Sequence, residues 1–87
     1  MHLKYQFQTM FLMDRVIAVP VGENSENTKS VIRLNRTAAA IFDLLKEETS
    51  EEQIVESLMT RYDVSKETLE HDVHMYIEEF RKRNLIV

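Results

Sequence analysis

The sequence predicts an α+β fold: a three-stranded antiparallel sheet followed by three helices, in a winged helix-turn-helix-like order. Three observations carry this. Two runs rich in β-branched and aromatic residues near the start are separated only by "MDR", and a third, "VIRL", follows a polar stretch. Beyond Leu34 the apolar residues recur at helical spacing in three segments, each opened by Asn or Ser. With 44% apolar and 30% charged residues and one Gly and one Pro in 87, the chain reads as a compact, helix-rich globular protein rather than a disordered tail.

In the first run Tyr5, Phe7, Thr9 and Phe11 share one parity, and the second is "VIAVPV" over residues 16–21. A tight turn near Met13 to Arg15 pairs the two. Pro20 has no N–H for a ladder, so it belongs at the strand's end, at a bulge, or where its nitrogen side is unpaired. The polar "GENSENTK", residues 22–29, reads as a long loop. In the third strand Ile32 and Leu34 point to one face, Val31 and Arg33 to the other.

Asn35 joins this strand to the first helix. An N-cap residue keeps β-like dihedrals while its side chain accepts a bond from an orphan amide of the first turn, so strand and helix can abut without glycine. Ala38, Ile41, Phe42 and Leu45 then form a buried stripe, and the run Ala38, Ala39, Ala40 lets another element come close. Ser50 and Gln53 have capping-box spacing before the second helix, whose apolar set is Ile54, Val55, Leu58, Met59 and Tyr62, with an end near Tyr62. Ser65 caps the third helix, with Leu69, Val73, Tyr76, Ile77 and Phe80 as its stripe. Arg81, Lys82 and Arg83 complement that helix's C-terminal dipole, Asn84 takes a left-handed stop, and "LIV" folds back onto the core.

Length allows one domain, residues 1–87. Without cysteine there are no disulfides, thiolate metal sites or cysteine nucleophiles, which suits a reducing compartment and a cytoplasmic protein. The start lacks an unbroken apolar segment and a small-residue cleavage site, so it is not read as a signal peptide, and no run approaches the roughly 20 apolar residues of a spanning helix. With 15 acidic and 11 basic residues the net charge is −4, so neither nucleic acid nor an anionic membrane is an expected partner.

Catalysis is not expected, because the chain lacks a phosphate-cradling glycine loop and any recognisable nucleophile motif; no cofactor is implied. His71 and His74, with Glu67, Glu70 and Glu78 within a turn, give a conceivable divalent-metal surface, but such charged helix faces are ordinarily solvated and both histidines are read as surface residues.

A winged helix that binds DNA is the rival reading, since such folds commonly place the third helix in the major groove. Here that helix begins "SKETLEHD", and Glu67, Glu70 and Asp72 would face phosphates with only Lys66 to offset them. A third possibility is an accessory subunit that binds an enzyme without touching a peptide. The third strand of a meander, by contrast, has one unpaired edge, protected here only by Arg33, and such an edge accepts an extended peptide through backbone bonds. Tyr76, between Val73 and the polar Asp72 and Glu79, suits a partly covered groove wall.

The segment "IRLNRTAAAIFDLL" and the following "TSEEQIVESLMTRYDVSKETLEHDVHMYIEEFRKRNLIV" resemble the PqqD-like family, peptide chaperones also called RiPP recognition elements. The resemblance covers about residues 30–87 and reaches the first strands only in pattern. Its most specific parts are "LN" with the small residues after it, "EEQIVESL", "YDVS", and "DV" at Asp72 and Val73. Family members often carry Gly near Ala38 or Ala39 and at Asn84; alanine suits a helix better, and asparagine tolerates the left-handed conformation.

The resemblance implies a non-catalytic module that binds the leader segment of a ribosomally made precursor peptide and presents it to a modifying enzyme, often a radical SAM protein. The leader would add as a strand beside Val31, Ile32, Arg33 and Leu34, in a groove walled by Asp72, Val73, Tyr76 and Glu79. Without a leader, the chain is expected as a monomer or as an edge-paired homodimer.

Overall fold

The computed structural model describes residues 1–21 and 31–87, and the polar loop expected over residues 22–29 lies outside them. Strands β1 (Phe7–Leu12), β2 (Arg15–Pro20) and β3 (Ile32–Leu34) form an antiparallel sheet in that order. Helices α1 (Arg36–Leu44), α2 (Glu51–Met59) and α3 (Lys66–Lys82) follow. The expected α+β architecture is therefore observed.

Leu12 pairs with Arg15, so Met13 and Asp14 alone make the turn. Met13 has φ 57°. A positive φ at the first loop residue suits the type II′ turns whose twist matches that of paired strands. Pro20 ends β2 opposite Phe7.

All four predicted backbone switches occur. Asn35 has φ −79° and ψ 177°, and its side chain accepts from the Ala38 amide. Ser50 accepts from Gln53 N, and Ser65 from Thr68 N. The box at α2 is only half formed: the Gln53 side chain meets the Thr49 hydroxyl at 3.4 Å. Asn84 has φ 61° and stops α3.

The sheet packs one face on the helices. Phe7, Val16, Ala18, Ile32 and Leu34 meet Ala38, Ile41, Phe42 and Leu45, with Ile54, Val55 and Leu58 from α2 and Leu69, Val73, Ile77 and Phe80 from α3. Aromatic edges link the layers: Phe7 to Phe42 at 5.1 Å between ring centroids, and Phe42 to Phe80 at 5.7 Å, both near-perpendicular.

Three details refine the expected picture. Phe11 shares the inward parity of Phe7 but is 80% exposed, because the hairpin tip overhangs the helices. Met59 is also exposed, and α2 ends there, before Tyr62. Finally, "LIV" does more than fold back. Leu3 bridges to Ile86, and backbone bonds join His2 to Val87 and Lys4 to Leu85.

That pairing continues into a clasp on the α1–α2 connection. Leu3 N donates to Leu45 O, Thr49 N to Met1 O, and His2 Nδ1 lies 3.0 Å from a Glu48 carboxylate oxygen that faces it. The hydrogen bond from His2, and then that from the Met1 amino group, hold the Glu48 carboxyl below its ordinary value of 4.5.

Candidate functional site

The ladder alternation decides what β3 offers to a ligand. Val21 N donates to Gln6 O at 3.0 Å, one step beyond the Phe7–Pro20 pair. Bonded pairs alternate along an antiparallel ladder, so Gln8–Val19, Met10–Ile17 and Leu12–Arg15 are the pairs that exchange bonds. Ile17 thus directs its backbone groups to β1. Its neighbours Val16 and Ala18 direct theirs to Leu34 and Ile32. Arg33, opposite Ile17, is left with both its N–H and its C=O pointing out of the sheet.

No strand lies against that edge among the described residues. Ile32 and Leu34 hold the strand down as buried core residues, whereas Arg33 is exposed and Val31, just before β3, is 57% exposed. Arg33 has no ion-pair partner among the described residues. Among the described residues no strand pairs with the outer edge of β1 either, and there Phe7, Thr9 and Phe11 carry the outward groups. What distinguishes the two edges is α3.

Asn35, immediately after β3, donates from Nδ2 to the Tyr76 hydroxyl at 2.7 Å while its Oδ1 accepts the Ala38 amide at 2.8 Å. One side chain therefore caps α1 and ties the end of β3 to the middle of α3. Tyr76 is half-buried and packs against the core. Asp72 and Glu79, at i−4 and i+3, flank it on the same helix face. Asp72 is half-buried, and Glu79 is exposed with Arg83 Nε 3.6 Å from its carboxylate.

Val73 differs from the other three helix residues singled out from sequence: it has no exposed surface and lies inside the core, where it supports the Tyr76 face from beneath. The site's chemistry is thus a strand edge with one free donor and one free acceptor at Arg33, an aromatic wall with a polar tip, and two carboxylates. Sequence reading identified Asn35 as a cap and Tyr76 as a wall. It missed their bond because nothing local marks a contact across 41 residues.

The metal-like surface is regrouped. Glu51, His74 and Glu78 bring one ligand-type atom each within 4.8 Å of one another, and His71 is outside this group. His74 Nδ1 lies 3.0 Å from the carboxylate of the half-buried Glu51, so the two groups have a partner in each other. No helix of the described residues is long and apolar enough to cross a membrane.

Among curated proteins, none matches the sequence significantly. The fold is that of a solved structure described as "TbiB1 in Complex with the TbiA(beta) Leader Peptide", with TM-score 0.74, 20% identity, and coverage of 98% of this chain and 93% of that one. Residues 24–86 match the family described as Coenzyme PQQ synthesis protein D, and the chain belongs to this PqqD family.

Proposed function

We propose that this chain is a non-catalytic peptide-binding module that takes the leader segment of a ribosomally made precursor peptide as an added strand on β3 and presents it to a modifying enzyme, a radical SAM protein. The observation that carries this reading is the outward-facing N–H and C=O of Arg33 on an unpaired edge beside Tyr76. Family membership and the leader peptide named with TbiB1 support it.

Strand addition supplies affinity through backbone bonds, and alternate side chains supply selectivity. Leader residues on the helix side meet Tyr76, with Asp72 and Glu79 favouring a basic neighbour. Those on the opposite face lie beside Arg33 and Val31, where an acidic residue gains a cross-strand charge pair. Ile32, Leu34 and Val73 shape the groove from the core side. The module acts as one domain over residues 1–87, in the cytoplasm, as a monomer or as a homodimer paired through the edge that the leader would displace.

The DNA-binding alternative gains no support from α3, whose first turns expose Glu67 and Glu70 with a single loose Lys66–Glu70 contact of 3.9 Å. The test is a titration of the isotopically labelled chain with synthetic peptides covering the N-terminal segments of short reading frames beside its gene, and separately with duplex DNA. Amide shifts centred on Val31 to Leu34 and along α3 with a peptide, and none with DNA, are expected. The reverse pattern contradicts the reading.

A further inference from the structure

A second surface is left unused by the leader site. The overhanging hairpin tip and the outer face of α1 enclose an open groove of about 520 Å³. Its walls are Phe11 and Val16 on the helix-facing side of the hairpin and Ala39 and Ala40 on α1. The alanines give a close, shallow approach, yet among the described residues no element packs into it. Phe11 therefore stands 80% exposed and Met13 is fully exposed at its mouth. Isolated exposed apolar residues are ordinary, but a concave apolar patch of this kind marks an interaction surface.

Charge identifies the occupant. Arg15, Arg36 and Arg61, from β2, α1 and the residues after α2, line the groove, and none has an ion-pair partner among the described residues. Of the two acids there, Asp14 and Asp43, the second is already met by Lys46 at 3.2 Å. A chain of net charge −4 thus concentrates around one apolar hollow three guanidinium groups that meet no carboxylate of the described residues. Arginine at the rim of an apolar patch suits carboxylates that flank a buried side chain.

We propose that this groove docks an acidic amphipathic helical segment of a protein partner, with its apolar side chains against Phe11, Ala39 and Ala40 and its carboxylates on Arg15, Arg36 and Arg61. Nucleic acid is disfavoured because the apolar floor of Phe11, Ala39 and Ala40 offers nothing to a phosphate backbone, whereas it can bury the apolar side chains of a peptide. No residue of β3 or α3 lines the groove, so it can be filled while β3 carries a peptide, and the proposal does not depend on the leader reading.

The probe is a synthetic helical peptide with leucines at i and i+4 on one face and glutamates on its flanks, titrated into the full labelled chain. Saturable shifts confined to Phe11 to Arg15 and Arg36 to Asp43 are expected, with affinity roughly tenfold weaker for the same peptide bearing lysines instead of glutamates. The folded Arg36→Glu, Arg61→Glu double variant should lose affinity to a similar degree. Absence of binding, shifts elsewhere, or equal affinity for the lysine peptide overturns the proposal. So do groove shifts with duplex DNA, or groove shifts that grow with protein concentration alone and so reveal a second copy.

Discussion

Asn35 donates to the Tyr76 hydroxyl at 2.7 Å with the same side chain that caps α1. Strand end, helix start and the candidate groove wall are thereby held by one residue. Removing the two functions separately should give different costs. Asn35→Ala loses cap and bridge, for about 1–2 kcal/mol, whereas Tyr76→Phe leaves the cap and costs about 1 kcal/mol. Asn35→Ser keeps a capping oxygen but withdraws the amide. In a urea double-mutant cycle, Asn35→Ser and Tyr76→Phe should be non-additive by about 0.5–1 kcal/mol. Full additivity would mean that the bond contributes nothing to the fold.

Met13 occupies the left-handed region at a two-residue turn with its side chain fully exposed. A non-glycine residue there costs about 1–2 kcal/mol, and glycine returns part of that as chain entropy, about 0.5–1 kcal/mol. Met13→Gly should raise stability by roughly 0.5–1 kcal/mol on those figures, seen as a higher urea midpoint at unchanged m-value. A lower midpoint would argue that Met13 makes contacts the turn geometry does not account for.

Glu48 ties the terminal clasp to His2, and its carboxyl is held below the ordinary value of 4.5, first by that hydrogen bond and next by the Met1 amino group. A depressed carboxylate contributes stability above its unfolded value, and the contribution is lost as pH falls through the folded one. Glu48→Gln should therefore melt lower than the native chain at neutral pH, with the gap closing below about pH 4.5. Thermal melts across that range check it; a gap independent of pH would assign the loss to packing.

The features legible in the sequence are those set by local chemistry. Asn35, Ser50 and Ser65 cap helices because short polar side chains reach amides three residues on. Asn84 reverses the chain because it tolerates positive φ. Parity and period say which way a residue points, not whether anything lies there, so Phe11 shares the parity of Phe7 and Met59 the spacing of Leu58's helix, yet both stand exposed. The clasp of Leu3 on Ile86 joins the two ends of the chain and left no periodic trace.

At the site, the strand residues follow from alternation alone, but the outward direction of Arg33's backbone depends on the closing pair of a distant hairpin. On α3 the spacing of Asp72, Tyr76 and Glu79 defines one face. Val73 belongs to the neighbouring stripe, which the core absorbs completely.

The central claim rests on Arg33, whose N–H serves no bond within the sheet. Proline there removes that donor while leaving the β2 ladder and both buried neighbours in place, and an edge strand tolerates proline on its solvent side. Ile32→Pro is a poorer test, because Ile32 is buried and exchanges bonds with Ala18. The decisive measurement is calorimetric affinity of a bound leader peptide for Arg33→Pro against Arg33→Ala, each shown to be folded by circular dichroism. The account predicts near-native binding by the alanine variant and a loss of roughly tenfold or more by the proline variant. Equal affinities in the two would contradict strand addition on β3.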